Sequence, residues 1–313
     1  MQRIALLGVG AMGGAMAANW LKRGFPVTIW NRTRARADAY RAQGARIAAT
    51  PREAAKDADV VLAMVADDAA SRDVWLGAEG ALMSAPPGSI AIESSTVSPG
   101  WARELADAAK QRGCRFLDAP VGSGLAAAEA GEVILFVGGE ASDLAEARPP
   151  LEAIAKRIHH LGPAGAGATW KLIANGMIAA QVAALAEALA CARQAGFTAD
   201  QIAALVQGGS TASPIVLRKL ERMLAARYDD PDFALYLIAK DARYAAALAR
   251  ELGAPHSLID AAGQAYSRAE EAGLGGQDSA AVANAPTEGR GAAGVGIKRA
   301  SQLRTALERP ARL

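Results

Sequence analysis

Lys171 and Asn175 stand four residues apart in the run GAGATWKLIAN. On a helix that spacing puts an amine and an amide on one face. A free lysine titrates at about 10.4, and apolar walls pull that value down until the group can both give and take a proton. A pair of this kind suits protonation of an oxygen, the step that must accompany hydride delivery to a carbonyl. The hydride needs a carrier, and the opening stretch offers a place for one. Gly8, Gly10 and Gly13 fall in G-x-G-x-x-G spacing, after the apolar run Ile4 to Leu7 and before an Ala-rich stretch that ends at Gly24. Val27 to Trp30 is a second strand candidate. Strand, glycine turn, helix and strand form the context in which this motif binds a dinucleotide. Gly8 allows the tight turn, Gly10 lets a pyrophosphate approach the backbone, and Gly13 lets the helix pack on the strand. Ala11 and Met12 begin a helix whose free N–H groups and partial positive charge face the phosphates.

The type of dinucleotide is read after the second strand. There, 23 residues beyond Gly8 (31 minus 8), the chain has Asn31, Arg32 and Thr33. An acidic residue at this place would hold a ribose 2′-hydroxyl and repel a 2′-phosphate, whereas arginine attracts the phosphate with a planar fork. Arg34 and Arg36 add positive charge. The expected cofactor is NADP(H) rather than NAD(H).

The elements that must position these groups follow from patterning. Further strands are expected at Asp59 to Met64, Ile90 to Glu93, Arg115 to Leu117, Val133 to Val137 and Ile158 to Leu161. Helices are expected at Arg34 to Gln43 and from Ser98-Pro99 to about Arg112, the latter with serine as cap and proline in the first turn. Alternating strands and helices predict an α/β, Rossmann-type, doubly wound and mainly parallel sheet. After Gly162-Pro163 the pattern changes to helices alone: Ala168–Ala195, Ala199–Gln207, Pro214–Arg227, Phe233–Leu252 and His256–Ala272. The expected division is a cofactor-binding domain at 1–162, an all-helical substrate and oligomerisation domain at 163–284, and a mobile basic tail at 285–313. The first of those helices is apolar on most sides, so a helical domain or a second subunit must cover it. A homodimer or homotetramer is expected.

Bulk properties exclude several classes. The chain has 313 residues, is 51% hydrophobic and carries a net charge of +2. That affords a large core and gives no broad electrostatic reason for a nucleic-acid or membrane partner. Cys114 and Cys191 lie far apart without metal-ligand spacing, which fits reduced thiols, a cytoplasmic protein and no metal. Leu172 to Ala192 is long and apolar, yet Asn175, Gln181 and Glu187 interrupt it, so a helix buried in protein is expected.

Taken together, GVGAMGGAMAANWLKRG, NRT at 31–33, ESSTVSP at 93–99, DAPVGSG at 118–124, GAGATWKLIAN at 165–175 and FALYLIAKDARYA at 233–245 resemble the β-hydroxyacid dehydrogenase family. That family includes 3-hydroxyisobutyrate dehydrogenases, tartronate semialdehyde reductases and glyoxylate/succinic semialdehyde reductases. The resemblance covers about residues 3 to 280. It implies an NADP-dependent oxidoreductase acting on the CH–OH group of a small carboxylate-bearing substrate. Lys171 would be the acid/base, Asn175 its helper, and Thr96 would lie near nicotinamide and substrate beside Ser95. Lys240 would contact substrate or cofactor with Asp241 nearby, and Met64 and Val65 would pass close to the cofactor. Two departures stand out. The family usually reads DAPVSGG, with the serine and the following N–H groups on the substrate carboxylate, whereas this chain has Gly122-Ser123-Gly124. Ala174 also replaces the first of two asparagines that often follow the lysine. Two other readings are weighed: an imine reductase, similar in fold and cofactor but usually without the lysine, so that Lys171 argues against it, and a non-catalytic NADPH-binding module. A phosphosugar-acid enzyme such as 6-phosphogluconate dehydrogenase is expected to have a longer chain and a dedicated phosphate cluster.

Overall fold

The computed structural model describes residues 1–286. Most of the expected tail at 285–313 therefore lies outside the described residues. Eight strands form one sheet in the order β3-β2-β1-β4-β5-β6-β7-β8. They are β1 Ile4–Leu7, β2 Val27–Trp30, β3 Arg46–Ile47, β4 Val60–Ala63, β5 Ile90–Glu93, β6 Arg115–Asp118, β7 Val133–Gly139 and β8 Ala155–Gly162. The strands from β1 to β6 pair in parallel, β7 turns antiparallel to β6 through Leu117 and Gly139, and β8 runs parallel to β7. β1, β4 and β5 are buried at every position, as strands covered on both faces must be.

The helices interleaved with this sheet are α1 Ala11–Lys22, α2 Arg34–Asp38, α3 Pro51–Ala55, α4 Asp68–Leu76, α5 Pro99–Gln111, α6 Leu125–Glu129 and α7 Ala141–Glu152. They pack in two layers. Met16, Ala17 and Trp20 of α1 and Leu144, Ala147 and Leu151 of α7 join one core with Leu6, Ile29, Ile92 and Leu135. Val74 and Trp75 of α4 and Trp101, Ala102 and Leu105 of α5 join the other with Ala5, Leu7, Val61 and Ala91. Alternate residues of each strand thus feed opposite layers, as the two-residue period of a strand requires. The expected helix Arg34 to Gln43 is instead broken. α2 stops at Asp38, a single 3₁₀ turn spans Arg41–Gln43, and Gly44 turns the chain with φ of 98° into β3. Gly44 is in the left-handed region, where a helix cannot continue.

Beyond β8 the described residues hold α8 Ala166–Gln194, α9 Ala199–Gln207, α10 Pro214–Leu224, α11 Leu235–Glu251 and α12 Ser257–Ala269, with 3₁₀ turns at Ser279–Asn284. α8 has 29 residues, so at 1.5 Å per residue it is about 44 Å long. It is the one helix among the described residues long and apolar enough to cross a membrane, and it serves here as the spine of a third core. Ala179, Val182, Leu185 and Leu189 pack there with Ile202 of α9, Leu220 and Met223 of α10, Ile238 and Ala242 of α11 and Tyr266 of α12. Under that core lies a buried ionic cluster. Lys219 Nζ donates to both carboxylate oxygens of Asp278, at 2.8 and 2.9 Å, and also to Asp232. Asp278 in turn accepts from the backbone N–H of Asp232 and Ala280, so its charge is fully engaged.

Candidate active site

The strand order reverses between β1 and β4, and in sheets of this kind ligands bind at the carboxyl ends of the strands at that switch. Gly8 follows β1 there with φ of 105°, and a Cβ on it would collide with the Met64 carbonyl oxygen at the end of β4. A Cβ on Gly13 would meet the Gly8 carbonyl oxygen. Gly10 differs, because nothing lies within 4 Å of where its Cβ would be. Two glycines are demanded by packing and the third leaves open space over the turn. The first bond of α1 runs from Gly14 N to Gly10 O at 2.8 Å, and no side chain caps the helix. The N–H groups of Ala11, Met12 and Gly13 therefore face that space, which suits a pyrophosphate. Asn31 holds the turn in place: its Oδ1 accepts from Val9 N at 2.9 Å and its Nδ2 donates to Thr33 O at 2.9 Å. Asn31 is thus spent on the turn, while Arg32, Thr33, Arg34 and Arg36 are exposed around it. Met64 and Val65 line the same edge, and Val65 N donates to Ser95 Oγ at 2.8 Å.

That bond links the cofactor edge to the loop after β5. Glu93 ends β5 with no exposure at all. Its carboxylate accepts from Ser95 N at 2.8 Å, from Trp75 Nε1 at 2.9 Å and from the Ser71 hydroxyl. Ser71 Oγ in turn accepts from Trp101 Nε1 at 2.8 Å. Burial pushes the Glu93 carboxyl up, against the pull of those donors. Ser95 is buried and occupied, so its role is to shape the loop that presents Thr96. The Thr96 carbonyl oxygen accepts from Lys240 Nζ at 2.5 Å, which ties α11 to the sheet.

Lys171 sits near the start of α8. Its helix begins where Asp118, at the end of β6, accepts from Gly165 N and Ala168 N, both at 2.7 Å. A buried carboxylate from another strand thus does the work of an N-cap and complements the helix dipole. One turn on, Lys171 is partly buried, and no hydrogen bond or ion pair to its Nζ occurs among the described residues. Burial pulls its ammonium down from the ordinary 10.5, with Asp241 pulling it up and Lys240 pushing it further down. Asn175 is buried on the same helix face and its Nδ2 donates to Asp241 Oδ2 at 2.5 Å. Asp241 Oδ1 lies 3.0 Å from Lys240 Nζ, which also sits 4.9 Å above the Tyr244 ring. Lys171, Asn175, Lys240 and Thr96 are therefore gathered from three separate elements around one carboxylate. Lys240 is already committed to Asp241 and Thr96, leaving Lys171 as the amine of this group with no hydrogen bond or ion pair among the described residues.

The loop 122–124 forms the other wall. Gly122 N donates to Ile134 O at 2.8 Å, and Ser123 Oγ accepts from Ile134 N at 3.1 Å. Both residues are thereby pinned to β7. A Cβ on Gly122 would lie 2.5 Å from the Phe136 ring. That ring packs edge-on against Trp170, the neighbour of Lys171, with centroids 6.3 Å apart, and stacks on His159 at 6.2 Å. The Gly122-Ser123 order noted in the sequence has a physical reason: the aromatic ring takes the volume that a side chain at 122 would need. Sequence reasoning gave no role to Phe136, Asp118 or Glu93; the partners of Asp118 lie 47 and 50 residues away, and two of those of Glu93 lie 18 and 22 away.

Comparison with known proteins accords with this geometry. Residues 3–162 match the NAD binding domain of 6-phosphogluconate dehydrogenase, and residues 165–285 match the NAD-binding domain of NADP-dependent 3-hydroxyisobutyrate dehydrogenase. Glyoxylate/succinic semialdehyde reductase 1 of Arabidopsis thaliana is 33% identical over 90% of this chain and 97% of its own length. NAD-dependent L-serine dehydrogenase of Pseudomonas aeruginosa is 36% identical over 77% of this chain and 83% of its own. Human cytokine-like nuclear factor N-PAC is 32% identical over 90% of this chain, and the match spans about half of that longer protein (51%). Among solved structures, 3-hydroxyisobutyrate dehydrogenase of Salmonella typhimurium aligns with a TM-score of 0.84 at 28% identity, over 91% of this chain and 99% of that one. The Mycobacterium tuberculosis 3-hydroxyisobutyrate dehydrogenase with L-serine aligns at 0.82 and 31% identity, over 91% of this chain and 98% of that one. An imine reductase of Aspergillus terreus aligns less closely, at 0.60 and 26% identity over 90% of this chain and 98% of that one. The chain belongs to the β-hydroxyacid dehydrogenase family of NAD(P)-binding oxidoreductases.

Proposed function

We propose that the protein is an NADP(H)-dependent reductase and dehydrogenase that interconverts a small carboxylate-bearing aldehyde or ketone with its hydroxy acid. Lys171 is the acid and base of this reading. The observation that carries it is the ammonium of Lys171, partly buried, without a protein partner among the described residues, and pulled down in pKa by burial. A nicotinamide cofactor supplies or accepts the hydride. The protein's residues do the rest. Gly8, Gly10 and Gly13 with the start of α1 seat the pyrophosphate, and Arg32 with Arg34 and Arg36 meets a 2′-phosphate. Asn175 holds Asp241, which keeps Lys240 clear of Lys171, and Lys171 gives its proton to the carbonyl oxygen during reduction. Homologues named for semialdehydes and L-serine support a small hydroxy or oxo acid as substrate.

The test is the rate of NADPH and NADH oxidation with glyoxylate, succinic semialdehyde, tartronate semialdehyde and methylmalonate semialdehyde, by the wild type and by Lys171→Ala. Turnover with NADPH well above NADH, lost by a factor of about 10²–10⁴ in the variant with NADPH binding unchanged, is the expected result. Surviving turnover in the variant sinks the lysine assignment. The nuclear-factor name of one relative supports a second reading, a cofactor-binding module without chemistry. NADPH binding with no turnover of any carbonyl acid would establish that reading instead. Reduction of cyclic imines in preference to aldehyde acids would point to the imine reductase branch.

A further inference from the structure

The loop 122–124 is where a substrate carboxylate belongs if the proposed reaction holds, yet its side chains offer little to one. Gly122 has no side chain, its N–H is bonded to Ile134 O, and the Ser123 oxygen is bonded to Ile134 N. Phe136 fills the space beside them. The Ser123 hydroxyl keeps its own proton to donate, but it is neutral, and a charged donor reaches the loop from the helical domain. Arg218, on α10, brings Nη1 to 3.1 Å from where a Cβ of Gly124 would stand. A side chain at Gly124 would make the guanidinium give way by a few tenths of an ångström.

Among the described residues Arg218 is held only by a long ion pair to Asp232. Its side chain is about half exposed, and no hydrogen bond to it occurs among the described residues. The nearest carboxylate is Asp232 Oδ2 at 3.8 Å, beyond hydrogen-bond distance. Asp232 is itself held by Lys219, and it titrates low, at about 2. It is therefore a standing anion that orients the arginine without consuming its donors. Arg218 brings a planar fork of N–H groups beside Gly124, and such a fork matches a carboxylate in two parallel bonds.

We propose that Arg218 is the specificity-determining residue of the cleft, adding a charged donor for the substrate's carboxylate across Gly124. The inference rests on the carbonyl-acid reading given above. The bond spans the two halves of the molecule, since the guanidinium hangs from α10 and the loop belongs to the sheet. Carboxylate binding thereby draws α10 onto the 122–124 loop. An aldehyde lacking the carboxylate gains nothing from Arg218.

The experiment compares wild type with Arg218→Gln. Kinetics are measured with NADPH and two aldehydes of equal chain length, succinic semialdehyde and butanal. In parallel, calorimetry follows succinate binding to the NADP⁺-loaded protein. A KM for succinic semialdehyde raised by about 10- to 100-fold, with kcat/KM for butanal within about twofold and succinate binding lost, is the expected result. Equal losses on both aldehydes, or no change on either, overturn the proposal. So does a wild type that binds no succinate. If the wild type binds succinate but turns over none of the four carbonyl acids named above, and the variant does not bind succinate, then the reductase reading falls and the arginine assignment stands. If turnover of succinic semialdehyde is intact in both proteins, the reverse holds.

Discussion

At the residue scale the proposed chemistry turns on the proton carried by Lys171. Its pKa is pulled below 10.5 chiefly because burial disfavours the charged form. In the direction of carbonyl reduction the protonated amine is needed, so kcat/KM stays flat at low pH and falls as pH rises through that lowered pKa. In the direction of alcohol oxidation the neutral amine is needed, so the rate climbs over the same interval. The two profiles should therefore bend at a common pH below 10.5, one downward and one upward. Initial rates with NADPH and carbonyl acid, and with NADP⁺ and hydroxy acid, between pH 6 and the alkaline limit of stability would check it. Parallel profiles in both directions would remove Lys171 from the proton path. That Lys171 and Asn175 share a helical face was legible in their spacing, while the role expected of them came from the family resemblance. What the sequence did not carry was their third partner. Asp241 accepts from Asn175 Nδ2 although 66 residues separate the two, and no periodicity connects α8 with α11 over that distance.

Elements explain why that residue geometry is reproducible. α8 starts under the carboxylate of Asp118, so the lysine is placed by a strand end as much as by its own helix. Strands and helices with strong periodicity were readable: β1, β2, β5 and α9 agree with their expected bounds, and α5 and α8 shift by only one or two residues. Short elements were not. β3 has two residues, and α3 and α6 have five each, too few for a period to emerge. α7 ends with Pro149 and Pro150 in its last turn, which reads as a breaker in sequence although the helix has already formed. The antiparallel step from β6 to β7 also escaped, since pairing direction depends on what the connection allows. Asp118 gives the prediction that belongs to this scale. Asp118→Ala would leave Gly165 N and Ala168 N without an acceptor in a buried place, at a cost of at least about 1–2 kcal/mol. In a domain of this size that lowers Tm by roughly 2–8 °C. Because Lys171 lies one turn further along, kcat should fall with little change in NADPH binding. A variant with wild-type Tm and wild-type kcat would show that α8 is positioned by its packing alone.

For the whole molecule, the telling feature is the side of α8 that its own domain leaves uncovered. Trp170, Ile173 and Met177 are 46%, 39% and 58% exposed, and Ala184, Ala188 and Cys191 continue the exposed line. Steps of three, four and seven residues keep these groups on one stripe, and the stripe is apolar along most of a helix of about 44 Å. Apolar surface of that extent on one element favours association, and the occupant best matched to it is the same stripe on a second copy, since a two-fold axis makes one patch complementary to itself. We propose this stripe as the contact of the homo-oligomer expected from the sequence. Trp170 also touches Phe136 and neighbours Lys171, so a subunit seated on this stripe would wall off the aromatic side of the cleft. Met177→Asp places a charge in the middle of the stripe, seven residues from Trp170 and away from every group assigned to cofactor or proton. Analytical ultracentrifugation should show the wild type as an oligomer and Met177→Asp as a smaller species, with kcat/KM falling as the protein is diluted through that dissociation. A wild type that sediments as a monomer at micromolar concentration, or a variant of unchanged mass, would mean that α8 does not join subunits and that the cleft is complete within one chain.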